Sequence, residues 1–142
     1  MIHFELVTLK GIKHKEKVFE VLLPTPEGQI AVFKDHAPLV TLTEHGIILV
    51  RREANHPEDM LERYAVNAGG VIEIADDNVR VLVDEADRGE DINEAEAHAA
   101  LEHAKKLVAE AGDEESLEKA VANLDRASVR LKLADLKRHK KR

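Results

Sequence analysis

Cysteine and tryptophan are missing from this 142-residue chain, and other aromatic side chains are scarce, at three phenylalanines and one tyrosine. Without cysteine there is no disulfide framework and no thiolate metal site, which fits a reducing compartment. Four aromatics are too few for a platform that stacks successive bases, so single-stranded nucleic acid is not an expected ligand. No run approaches the ~18 uninterrupted apolar residues of a membrane-crossing helix. The first residues, Met1-Ile2-His3-Phe4-Glu5, lack the basic start and apolar run of a signal peptide.

Catalytic patterns are missing too. There is no G-x-x-x-x-G-K-[ST] loop to cradle phosphates, and Gly69-Gly70 is too short to act as one. No H-E-x-x-H occurs. His98 and His103 stand five apart, off a common helix face, so no shared metal is expected. His98 and Glu102, four apart, read as a helix-surface pair. Ser116 and Ser128 lack a nucleophile-elbow setting. The carboxylate pairs Asp76-Asp77, Asp84-Glu85 and Glu114-Glu115 fall at turns or helix starts, which argues against an acid–base dyad. The chain is expected to work through surfaces, with neither catalytic nor metal-ligating residues.

Net charge is −7, unevenly spread. Residues 130–142 hold seven of the 21 Lys/Arg and one of the 28 acids, Asp135, which leaves 14 basic and 27 acidic residues, or −13, elsewhere. An acidic body with a basic end suits an acidic partner, although a charge run is more often a solvated face.

What is present first is period-two alternation. Ile2, Phe4 and Leu6 alternate with polar neighbours, as do Phe19, Val21 and Leu23, with Pro24 expected to stop them. Ile30 and Val32, the run Ile47 to Val50, Tyr64 and Val66, the group Val71, Ile72 and Ile74, and the trio Val79, Val81 and Val83 follow at intervals marked by turn residues. This is the pattern of an all-β sandwich or barrel, largely antiparallel because no helical crossover intervenes. After Arg88-Gly89 the period changes. Asp91 and Glu94 have capping-box spacing. Ala97, Leu101, Ala104, Val108 and Ala111 form one helical stripe, and Leu117, Ala120, Leu124, Ala127, Leu131 and Ala134 form a second. Gly112 is expected as the C′ residue between them and Asp113 as the next cap. The prediction is a β-sandwich over residues 1–87 and an antiparallel two-helix hairpin over residues 88–142. Alanine-lined helices of about 20 residues bury little area and form no core of their own, so the hairpin should dock with only a few kcal/mol.

Three segments then resemble the epsilon subunit of bacterial rotary ATP synthases, homologous to the mitochondrial delta subunit. They are Thr25 to Thr41, with the run His36-Ala37-Pro38-Leu39 followed by Thr41; Asn67 to Ile74, around Gly69-Gly70; and Val81 to Ile92. They occur in the family's order, and with the hairpin the resemblance spans essentially the whole chain. It implies a ten-stranded sandwich that binds the gamma subunit and rests on the membrane rotor ring, at the cytoplasmic face of the cell membrane. It implies a non-catalytic central-stalk subunit of a proton-translocating enzyme. Near the rotor ring the family places positions matching Gln29, where it carries an acid, and His36. The hairpin is the family's regulator, whose second helix, when extended, opposes hydrolysis against an acidic loop of the beta subunits. Arg126 and Arg130 share a helix face and, with Lys137, are the residues expected to make that contact. Some relatives bind ATP on the folded hairpin. Here the matching stretch is degenerate: Ile92 and Ala97 remain, Asn93 replaces an acid, and Glu96 and His103 replace arginines, while Arg126 and Arg130 are retained. No cofactor is therefore expected. The rival expectation is a free-standing β-sandwich module whose basic tail grips an acidic protein or nucleic acid; the acidic body argues against nucleic acid.

Overall fold

The computed structural model describes the backbone of residues 1–140 and the side chains of residues 1–136. Ten strands form two five-stranded sheets. Sheet A is ordered β2-β1-β9-β8-β5, from β1 (Ile2–Thr8), β2 (Gly11–Val18), β5 (Leu39–Leu42), β8 (Val71–Ala75) and β9 (Asn78–Leu82). Sheet B is ordered β10-β7-β6-β3-β4, from β3 (Glu20–Thr25), β4 (Gly28–Val32), β6 (Gly46–Arg51), β7 (Glu62–Val66) and β10 (Ala86–Arg88). The alternating residues do what their period requires. Phe4, Leu6, Ile72, Ile74, Val79 and Val81 face inward from sheet A and meet Val21, Leu23, Ile48, Val50, Tyr64 and Val66 of sheet B, all at most 2% exposed.

Three departures from the sequence reading have physical causes. Pro24 does not stop β3: it pairs with Gln29, and its carbonyl accepts from the Glu44 amide at 3.0 Å. In an extended strand N and O of one residue point the same way, so the missing N–H faces that loop rather than β4. β2 escaped notice because Lys13, Lys15 and Lys17 point outward while His14 and Glu16 occupy inward positions, leaving no apolar alternation. The pairing of β1 with β9 is parallel, the one exception among the strand pairings of the described residues, and joins the two ends of sheet A's chain path.

The helices are α1 (Glu94–Glu110) and α2 (Glu114–Lys140). The N-cap of α1 is Asn93, whose side chain accepts from the Glu96 amide at 3.2 Å; Asp91 instead closes the single turn Gly89–Asp91. Gly112 stands at C′ as expected, one residue past the extended C-cap Ala111 (φ −62, ψ 121), but without a left-handed φ. Asp113 caps α2, accepting from the Ser116 amide at 2.7 Å, and the bonds from Ser116 hold its carboxyl below the usual carboxylate range. His98 faces Glu94 at 3.8 Å, while Glu102 pairs with Lys105.

The hairpin rests on the outer face of sheet B, and α2 makes the contact. Leu133 and Ala134 pack with Ala65 of β7 and Ile92, flanked by Ile47, Val129 and Leu131. Gly89 lets this happen: a Cβ there would lie 3.3 Å from Leu133 Cδ1. α1 leans chiefly on α2, through Ala97, Ala104, Ala120 and Ala127, all buried.

Candidate docking surfaces

Among the described residues, α1 and α2 make their main contacts with each other and with sheet B, not with the side of sheet A that faces away from the sandwich interior. Strand register lines up an apolar row across all five strands: Leu42 opposite Val71, Val71 opposite Leu82, Leu82 opposite Val7, and Val7 opposite Ile12. The row is widest open at its ends, with Leu42 51% and Ile12 56% exposed. The neighbouring row is Val40, Glu73, Arg80, Glu5 and Lys15, in which charges of opposite sign oppose each other. An apolar row rimmed by matched charge is the anatomy of a protein interface. It could not be read from sequence, because each strand contributes one residue and only the register joins them.

Gln29 is the second residue of β4 and His36 lies in the loop beyond the strand's end, with about 10 Å of strand from Gln29 to Val32, and the two form no common site. Gln29 is exposed and lines a groove of about 350 Å³ with Val129, Lys132 and Leu136 of α2. His36 sits in the loop between β4 and β5, its Nδ1 2.6 Å from the Ala37 carbonyl, so Nδ1 carries the hydrogen. The preceding Asp35 is left-handed (φ 64), held by its amide donating to Asp77 Oδ1 at 2.6 Å.

Arg126 and Arg130 face the sandwich. Arg126 Nη1 lies 2.8 Å from Glu85 Oε2, and its other branch donates to Asn123 Oδ1 at 3.2 Å. Arg130 Nε lies 3.1 Å from Asp87 Oδ2, a charge contact rather than an aligned hydrogen bond. One residue before Arg126, Asp125 faces His45 of the sandwich at 3.7 Å. The Lys137 side chain lies outside the described residues.

Between the hairpin and the sandwich edge is a cavity of about 390 Å³, lined by Lys10, Lys13, His103, Arg126 and Arg130 together with Asp84, Glu85 and Asp87. Of Ile92, Asn93, Glu96 and Ala97, only Ala97 lines it; Ile92 is buried in the small core under α2, Asn93 is spent as a cap, and Glu96 is exposed.

A polar cluster plugs one edge of the sandwich. His14 Nδ1 lies 2.9 Å from Tyr64 Oη, His14 Nε2 2.9 Å from Glu16 Oε1, and the Tyr64 hydroxyl donates to Glu62 at 3.1 Å. Burial first, and then Glu62, push the Tyr64 phenol far above its ordinary range. His14, Glu16 and Glu62 bring possible ligand atoms within 4.8 Å of one another, but Arg52 already sits on both carboxylates, which opposes a further cation. No described helix is long and apolar enough to cross a membrane.

Comparison with known proteins gives a consistent picture. The family model described as ATP synthase, Delta/Epsilon chain, beta-sandwich domain matches residues 1–89, and the long alpha-helix domain of the same family matches residues 90–135. An ATP synthase epsilon chain of Herpetosiphon aurantiacus is 31% identical over 140 residues, covering 98% of both chains. One from Moorella thermoacetica is 33% identical over 133 residues, covering 94% of this chain and 96% of its own. A solved Euglena gracilis mitochondrial ATP synthase, described as OSCP/F1/c-ring, contains a chain that superposes with a TM-score of 0.77 over 94% of this chain and 80% of that one. Its identity is 23%, which speaks for the fold alone.

Proposed function

Taking as our premise that the chain belongs to the ATP synthase delta/epsilon family, as an epsilon-type subunit with no catalytic role of its own, we propose that it couples the rotor of the enzyme and brakes ATP hydrolysis through its hairpin. The observation that carries this reading is a division of labour between the two sheets. The hairpin occupies the outer face of sheet B, and the apolar row of sheet A stays open for a permanent partner. That partner is the gamma subunit. The loop around His36, and more weakly Gln29, faces the membrane rotor ring. The complex then sits at the cytoplasmic face of the cell membrane, with this subunit peripheral.

Braking follows from the hairpin's shallow seat. The apolar seat sets Val129, Leu131, Leu133 and Ala134 of α2 against only Ile47, Ala65, Ile92 and Ala97, and a partner that binds the released form more tightly by about 5.5 kcal/mol would invert a 99:1 preference. In the released form Arg126, Arg130 and Lys137 meet the acidic loop of the beta subunits. ATP is not part of this proposal, because Asn93 is consumed as a cap and carboxylates already neutralise both arginines. Calorimetry with millimolar ATP should give no binding heat; saturable heat would reject that point.

The test is a chain ended after Arg88, where β10 closes the sandwich. It should fold, join gamma and the rotor ring, and give an assembled enzyme that hydrolyses ATP faster than one holding the full chain. Equal hydrolysis removes braking from the proposal, and failure of a folded sandwich to join gamma removes coupling.

A further inference from the structure

Arg126 and Arg130 stand one turn apart on α2, about 6 Å along its axis. Glu85 and Asp87 stand two residues apart on an extended segment, about 6.6 Å, on the same outward side because Ala86 between them is buried at 3% exposure. The two spacings match, and each arginine meets one carboxylate, at 2.8 and 3.1 Å. The carboxylates belong to the sandwich, and the hydrophobic seat of α2 begins just beyond, at Val129 and Leu133. A match of spacing, charge and side between two separately folded elements is what a specific contact requires.

We propose that Glu85 and Asp87 form an arginine-pair docking site on the sandwich, occupied in this structure by α2 of the same chain, that competes directly with the acidic surface of the catalytic ring for the same two side chains. This rests on the braking role given above. Arg126 and Arg130 cannot serve both contacts at once, so the hairpin is disarmed whenever it is docked. The site also gives the docked state a salt dependence that the apolar seat lacks. Half-exposed ion pairs are screened, and losing two such pairs shifts the docked-to-released ratio by about 2- to 30-fold.

The consequence is a difference of sign. E85Q with D87N weakens docking but leaves the arginines free, so braking deepens. R126Q with R130Q weakens docking equally and also strips the contact, so braking does not deepen. The measurement pairs two readouts on the full chain: the sandwich-to-α2 distance distribution of the isolated subunit from two spin labels, at low and high salt, and ATP hydrolysis by the assembled enzyme. Expected results are a released population enlarged about 2- to 30-fold in E85Q/D87N, with its salt dependence lost, and slower hydrolysis than wild type. The swapped pair E85R with R126E should return the released population towards wild type, which a merely structural role for either residue would not do. If E85Q/D87N leaves population and salt dependence unchanged, the docking site is overturned. If the population shifts and hydrolysis does not, the docking site stands and the braking role falls.

Discussion

Leu133→Ala tests how the hairpin is held. Leu133 is 1% exposed and lies over Gly89, between Ala65 and Ile92. Truncating a buried leucine costs roughly 2–5 kcal/mol, with the low end where neighbours can collapse into the space. This seat is rimmed by half-buried Ile47, Val129 and Leu131, so about 2–3 kcal/mol applies. At 1.4 kcal/mol per decade that lowers the docked-to-released ratio about 30- to 150-fold. Leu133 touches nothing in the core between the sheets, so the sandwich should not notice. Amide exchange separates the two. Released helices of this length fray, so α1 and α2 should exchange about 30- to 150-fold faster, while amides of β1 and β9 keep wild-type protection. A change of less than threefold in the helices would refute the shallow seat. An equal loss in β1 and β9 would mean that hairpin and sandwich unfold as one unit.

Other perturbations probe other joints. Gly70→Ala would place a Cβ 2.6 Å from the Leu82 carbonyl and 2.8 Å from Thr43 Oγ1, so the backbone must move; we expect a loss of about 2 kcal/mol or more, read as a lower melting temperature of the sandwich. Tyr64→Phe removes the hydroxyl that joins His14 to Glu62 but leaves Glu16 beside His14 and Arg52 on Glu62, so it should cost about 1 kcal/mol in denaturant titration. Because folding raises the Tyr64 phenol, its contribution is whole below the ordinary phenol value near about 10 and falls as pH climbs beyond it; Tyr64→Phe should lack that alkaline decline. Asp113 behaves oppositely: its carboxyl is lowered, so its capping contribution is whole above the ordinary carboxylate value and fades as pH drops through the lowered one. Exchange of the Ser116 amide should follow that fade, and Asp113→Ala should abolish it.

The sandwich was legible wherever one face of a strand is apolar and the other polar, as in Ile2-Phe4-Leu6 or Val79-Val81. It was illegible in β2, whose inward His14 and Glu16 belong to the polar plug with Tyr64. Both helical stripes were legible, yet Leu133 fell outside them. α2 has two neighbours rather than one, so its buried arc is wider than a single stripe, and the added residue is the one that faces sheet B. Arg126 and Arg130 were singled out as a pair, but their carboxylate partners were not, since a pairing across 41 or 43 positions has no local signal. The apolar row of sheet A was hidden for the same reason.

The open face of sheet A is the premise on which coupling rests, and affinity for the gamma subunit measures it. Ile12→Asp with Leu42→Asp places two charges on the row at its most exposed positions, outside the core. Buried interface anchors cost about 2 kcal/mol or more each when lost, so gamma should bind at least about 100-fold more weakly while the melting temperature of the sandwich stays at its wild-type value. Wild-type affinity in this folded double variant would contradict the account.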